Sequence, residues 1–238
     1  IAACDYDRGG NNNSGNNNQS NGNQNYNHQN QNNVNVNGEP VPLDPSDYTY
    51  LLDESPGNLP LWTTPATHKV VTNERPPTET RSGLHLSAAR HEFEPVQLIL
   101  GPASGSATVS IADFPNLGAD QRVELATVGF EGGWAEHLTP IANGDTVTLS
   151  DSRPQPLWIT VYVPKGAPAG AHETTLTVTP SGGSAVSIPV QLYVFDFALP
   201  DRVGFASQLN VGISGLIPDG GTVDDAKAML LEHRFTPK

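Results

Sequence analysis

Four consecutive residues, His91-Glu92-Phe93-Glu94, bring an imidazole and two carboxylates to the mouth of an apolar run that continues through Val96, Leu98 and Leu100. Such groups bind divalent cations or move protons when they converge on one point. On an extended strand they do not converge. Successive side chains alternate faces, so His91 is expected to point away from Glu92 and Glu94. The two carboxylates share a face about 7 Å apart, at the rim of the core. Pro95 also interrupts any His-Glu-x-x-His zinc pattern. The stretch is therefore read as the polar entry of a buried strand, and neither a catalytic residue nor a metal ligand is assigned.

The other candidates are bounded in the same way. Asp224-Asp225 reads as charge at a helix start, where the dipole favours it, and His233-Arg234 reads as capping or packing at the helix end. Asp53-Glu54 is an adjacent acidic pair in a Pro- and Asp-rich segment with no sustained period. Trp62, Trp134 and Trp158 offer aromatic faces that suit the apolar faces of pyranose rings, although buried tryptophans are commoner. Trp134 is the best sugar-stacking candidate of the three, because Gly132-Gly133 beside it suggests a loop, and Trp62 is expected to dock on the core. No Gly-x-Ser-x-Gly elbow and no Gly-x-x-x-x-Gly-Lys phosphate loop occurs. No cofactor is implied.

The elements that must hold these residues are mostly strands. Strand character appears at 69–71, 84–86, 93–100, 107–111, 123–128, 146–149, 157–163, 174–178 and 186–195. Turn residues separate several of them, as in Asn143-Gly144-Asp145, Gly166-Ala167-Pro168-Ala169-Gly170 and Ser181-Gly182-Gly183-Ser184. Between 157 and 163 one parity is Leu, Ile, Val, Val and the other is Trp, Thr, Tyr, so one face is core and the other at least partly wet. Pro189 has no donor and predicts an open side or a bulge in its strand. The fold class is mainly β, an antiparallel β-sandwich of Ig-like or jelly-roll-like type. After Pro200, strand character at 205–211 and a helix starting near Thr222-Val223-Asp224-Asp225 read as one βα unit. Its Leu209, Val211, Met229 and Leu230 are expected to lack partners.

Composition limits the partners. Across 238 residues there are 12 Lys and Arg against 25 Asp and Glu, a net charge of −13 with no basic run, which argues against nucleic acid. Residues 1–38 are dominated by Asn and Gln and bury almost nothing, so they read as a disordered tether. Residues 39–65 read as a Pro-rich linker and entry segment, 66–200 as the sandwich and 201–238 as the βα unit. The chain begins at Ile1 and ends at Lys238 after Thr236-Pro237, and it is read as a piece of a longer protein. One cysteine, Cys4, excludes an intramolecular disulfide and a multi-thiolate zinc site. No apolar stretch is long enough to span a bilayer.

Two resemblances extend this reading. Ile1-Ala2-Ala3-Cys4 resembles the end of a bacterial lipobox, which implies a cleaved signal peptide, lipid on Cys4 and an exported cell-envelope lipoprotein held to the membrane by that lipid. Asp5 matches the enterobacterial signal for inner-membrane retention. Separately, Ala89-Arg90-His91-Glu92-Phe93-Glu94-Pro95-Val96-Gln97-Leu98, Pro156-Leu157-Trp158-Ile159-Thr160-Val161 with Val163-Pro164, Ala167-Pro168-Ala169-Gly170, Pro189-Val190 and Val194-Phe195-Asp196-Phe197-Ala198-Leu199-Pro200 resemble, in order, the N-terminal β-sandwich of glycoside hydrolase family 123 and related barrel proteins of unassigned function. His91 and His172 depart from that pattern, which has asparagine and an aromatic there. The resemblance implies that 201–238 begins a (β/α)8 barrel whose adjacent Asp-Glu pair acts on an amino-sugar-containing oligosaccharide. No such pair follows Pro200. The expectation is an accessory part of a glycan-active, β-N-acetylhexosaminidase-like protein. A non-catalytic carbohydrate-binding or adhesive lipoprotein and a structural spacer are the alternatives.

Overall fold

The computed structural model describes residues 48–201, 215, 217 and 221–235. Among the described residues twelve strands and one helix follow one another: β1 Tyr50–Leu52, β2 Leu61–Pro65, β3 Thr80–Arg81, β4 Leu84–Arg90, β5 Glu92–Leu100, β6 Ser106–Ile111, β7 Arg122–Glu131, β8 Trp134–Ile141, β9 Thr146–Thr148, β10 Gln155–Val163, β11 Gly170–Pro180, β12 Val186–Ala198 and α1 Val223–Glu232. A seven-stranded sheet, β3-β1-β2-β5-β10-β7-β8, faces a five-stranded sheet, β4-β12-β11-β6-β9. Leu98, Leu157 and Ile159 from the first sheet and Leu176, Ile188 and Val190 from the second meet in one core. The expected sandwich is present. Most pairs are antiparallel, but β3 joins β1 and β4 joins β12 in parallel at the sheet edges.

Alternation built these layers. Leu157, Ile159, Val161 and Val163 of β10 are buried in the core, whereas Trp158, Thr160 and Tyr162 are half-buried on the outer face. In β12 Ile188, Val190, Leu192 and Val194 form the inner row. Pro189 pairs with Thr175 on one side, and on the other β4 begins only opposite Val190. The residue without an N–H thus lies one position before the parallel pairing with β4 begins, and the irregularity of this strand comes later, between Phe195 and Ala198.

Three expectations about elements need correction. Residues 39–65 are not all linker. β1 and β2 pair into the seven-stranded sheet, and Tyr50, Leu52, Leu59, Leu61 and Trp62 are buried, so the sandwich begins well before residue 66. Residues 69–71 make only a bridge from Val71 to Trp134. The glycine pair at 132–133 is a tight hairpin rather than an open loop. Gly132 and Gly133 have φ of 58° and 90°, as a two-residue type I′ turn requires, and β8 follows at once.

His91 is the fourth departure. Its φ is 62°, so it is not on an extended strand at all. Arg90 ends β4 in one sheet and Glu92 starts β5 in the other, which makes His91 the corner where the chain changes layers. Histidine tolerates the left-handed region better than most side chains, and here Val163 fixes it by accepting the His91 N–H at 2.7 Å.

The helix starts as the sequence pattern requires. The Thr222 hydroxyl accepts from the Asp225 N–H at 3.2 Å, and the Asp225 carboxylate accepts from the Thr222 N–H at 2.7 Å. Ala226 and Leu230 are buried, whereas Met229 is 36% exposed. The strand expected at 205–211, with Leu209 and Val211, lies outside the described residues.

Candidate functional site

The acidic pair that opened the sequence reading does not form a reaction centre. The Glu92 carboxylate accepts the Ala89 N–H at 2.6 Å and so braces the corner. Glu94 points to the inner side of β5, where burial, and then the neighbouring charge of Glu92, push its pKa up to about 8. The His91 Nδ1–H donates to the Leu199 carbonyl at 3.2 Å, and Asp201 lies 3.4 Å from the same nitrogen. Lys165 holds the Asp201 carboxylate by hydrogen bonds of 2.8 and 2.7 Å, which lower its pKa. The imidazole is engaged with the segment leaving β12, away from the two glutamates. Among the described residues no three His, Cys, Asp or Glu side chains gather as a metal site.

A recessed surface lies elsewhere. The outer face of the seven-stranded sheet carries a groove of about 450 Å³, floored by Trp158 and Thr160 of β10 and Glu124 and Ala126 of β7. Phe93 and Pro95 of β5 form one side, Leu138 and Pro140 of β8 the other, and His233 at the end of α1 closes one end. The volume falls within the range of small-molecule sites, roughly 300–1,000 Å³. Register explains the grouping. Trp158 sits opposite Ala126 and Thr160 opposite Glu124, while Pro140 lies opposite Ala126 on the far side of β7. Small Ala126 between Trp158 and Pro140 leaves the depression.

The indole is anchored as well as accessible. Trp158 packs on an outer-face cluster of Trp62, Val70, Ile99, Val128 and Ala135, and it also lines the groove. The Glu124 side chain is exposed and Thr160 half-buried, while the His233 ring packs against Phe93 with ring centres 5.7 Å apart. The adjacent cation on the same face of β7 is Arg122, and it is engaged. Its guanidinium stands 4.9 and 4.8 Å from the ring centres of Phe93 and Tyr162 and pairs with Glu232 at 2.6 Å.

The sequence-stated candidates fall in different places. Trp62 is fully buried and Trp134 is 50% exposed at the start of β8, outside the groove lining. Asp224 pairs with Lys227 at 3.5 Å on the helix surface, and Asp225 closes the capping box with the N-cap Thr222. Cys4 lies outside the described residues. The sequence did not single out Glu124, Phe93 or Pro140, which line the groove. The available signal was the Trp-Thr-Tyr parity of residues 157–163, which marks a half-wet face.

No family model and no curated protein sequence matches the chain. Among solved structures, a family 123 glycoside hydrolase from Clostridium perfringens is similar at 14% identity and a TM-score of 0.47, over 60% of this chain and 28% of that one. The N-terminal domain of PorA matches at 13% identity and a TM-score of 0.32, over 55% of this chain and all of the domain. A Bacteroides ovatus GH5 xyloglucanase in complex with a XXXG heptasaccharide matches at 12% identity and a TM-score of 0.27, over 56% and 23%. The chain thus spans little more than a quarter of the length of the family 123 enzyme.

Proposed function

We propose that this chain is the accessory β-sandwich of an exported, glycan-active protein, and that its own contribution is to bind carbohydrate. The observation that supports this is the groove around Trp158. The rigid indole of Trp158 offers flat apolar surface for the carbon-bound hydrogens of a pyranose, and Phe93 lines the same groove four residues further along, opposite Tyr162. Glu124, Thr160 and His233 offer acceptors and donors for its hydroxyls. The resemblance of the ordered sequence patches to family 123 enzymes supports placing catalysis in a barrel beyond the sandwich, with a β-N-acetylhexosaminidase-like activity belonging to the parent. Lipid on Cys4 would hold this assembly at the cell envelope, and metabolic labelling with a fatty acid, lost in Cys4→Ala, tests that part.

The binding role is tested on native gels containing soluble glycans, using the 238-residue protein. Wild type is expected to be retarded by at least one glycan, and Trp158→Ala to lose at least tenfold in affinity while Trp134→Ala binds as wild type. Glu124→Gln, a surface change, serves as the second groove variant and is expected to weaken binding severalfold with an unaltered thermal melt. Retardation that depends on Trp134 alone, or by no glycan at all, would overturn the proposal.

A further inference from the structure

We infer that the Trp158 groove selects uncharged pyranose chains, N-acetylated or unsubstituted, and rejects uronates and sulfated glycans, with Glu124 as the residue that sets this preference. The inference rests on the carbohydrate-binding reading and sharpens it to a substrate class.

The argument is one of charge and hydrogen-bond capacity. Apart from His233, the groove lining contains no basic side chain, and its one acidic group is Glu124, exposed on β7 directly opposite Thr160. An ionised carboxylate only accepts hydrogen bonds, so it is matched by sugar hydroxyls, which donate. A carboxylate or sulfate on the ligand would bring like charge beside it with no cation to offset the repulsion. Arg122, two positions along the strand, does not fill that role. Its guanidinium lies over the adjoining rings of Phe93 and Tyr162 and pairs with Glu232, so recruiting it would mean breaking the attachment of α1. The chain as a whole, with 25 acidic against 12 basic residues, repels polyanions at longer range.

The test compares wild type, Glu124→Gln and Glu124→Lys in binding to chitin oligosaccharides and hydroxyethylcellulose, as neutral probes, and to polygalacturonate and heparin, at low and high salt. Wild type is expected to bind a neutral probe and neither polyanion. Glu124→Lys is expected to gain at least tenfold in affinity for polygalacturonate, with the gain falling as salt rises and disappearing when Trp158→Ala is added. Wild-type binding of a polyanion as tight as that of the neutral probes, dependent on Trp158, would overturn the charge preference and leave the carbohydrate-binding role standing. Neutral binding with no gain in Glu124→Lys would overturn the role of Glu124. Failure of every glycan to bind would overturn the inference together with the function it rests on.

Discussion

The guanidinium of Arg234 donates a hydrogen bond to the carbonyl of His91, joining the two described non-glycine residues whose φ is positive, both at 62°. Arg234 also donates to the Pro200 carbonyl. It stands just past the end of α1, where the Phe235 N–H bonds the Leu230 carbonyl at 2.7 Å and the Arg234 N–H bonds the Leu231 carbonyl at 3.0 Å. That is a Schellman ending, at whose left-handed position glycine is usual. An arginine there accepts backbone strain, and what it gains is a clamp between the helix and the sheet-changing corner.

Replacing the clamp separates its two contributions. Arg234→Gly relieves the left-handed backbone while removing both hydrogen bonds, and Arg234→Ala removes the bonds without that relief. Both are expected to lower amide protection within α1, by tenfold or more, while amides of β10 and β12 keep their exchange rates. Arg234→Ala should be the worse by about 1 kcal/mol in helix protection. Hydrogen exchange measured by residue checks the order, and equal protection in wild type and both variants would contradict the clamp.

Glu94 predicts an unusual pH dependence. Its folded pKa of about 8 lies above its ordinary value of 4.5, so between these limits the folded protein keeps a proton that the unfolded chain releases. The contribution is full below about 4.5 and is lost as pH rises through 8. Partial solvent access reduces the size of the effect, so roughly 1–3 kcal/mol is expected across this range. Urea melts at pH 5 and pH 8.5 should show this loss in wild type and little of it in Glu94→Gln. A slope unchanged by the substitution would assign it to other groups.

The fold was readable where one strand face is aliphatic and the other is not. The inner rows of β10 and β12 stand out by alternation, because only their inward parity meets the core. β2 had no such signature. Leu61, Trp62, Thr63 and Thr64 are all buried, and burial on both faces erases the period of two. β8 failed for the opposite reason, since of its residues only Ala135 is buried, and the hairpin turn sets its pairing. The left-handed backbone of His91 is imposed by Val163, Leu199 and Arg234, residues distant in sequence, so no local pattern announced it. Flanking glycines single out Trp134 in the sequence, and it stands exposed at a hairpin. Which indole lines a groove depends instead on β10 lying between β5 and β7, a fact of sheet order that spacing does not carry.

Gly83 offers a test of how β4 is registered against β12. Its φ is 71°, and a Cβ placed on it would stand 2.7 Å from the Pro189 carbonyl oxygen of β12. Its own carbonyl accepts the Tyr50 hydroxyl at 2.9 Å, a bond from β1 of the opposite sheet. Gly83→Ala therefore combines left-handed strain with a backbone clash, at about 2 kcal/mol or more. A fall in Tm of about 4–8 °C is expected for a domain of this size. A melt within a degree of wild type would mean that β4 is free to shift against β12.

The entry segment gives the sharpest stability prediction. Trp62 is fully buried opposite Ile99 and packs with Val70, Val128 and Ala135 on the outer side of the sheet, while Leu61 and Thr63 fill its inner side. Trp62→Ala should cost about 3–5 kcal/mol, since the surrounding strands cannot close on the space it leaves. A chain beginning at residue 66 loses both β1 and β2, strips Leu98, Ile99 and Leu100 of their cover and exposes an unpaired edge of β5 to other chains. It is expected to aggregate or to give a collapsed proton spectrum, whereas a chain beginning at residue 48 keeps every described strand and should give dispersed methyl resonances. Should the shorter chain fold with native dispersion, β1 and β2 would be an appendage of the sandwich and not part of its frame.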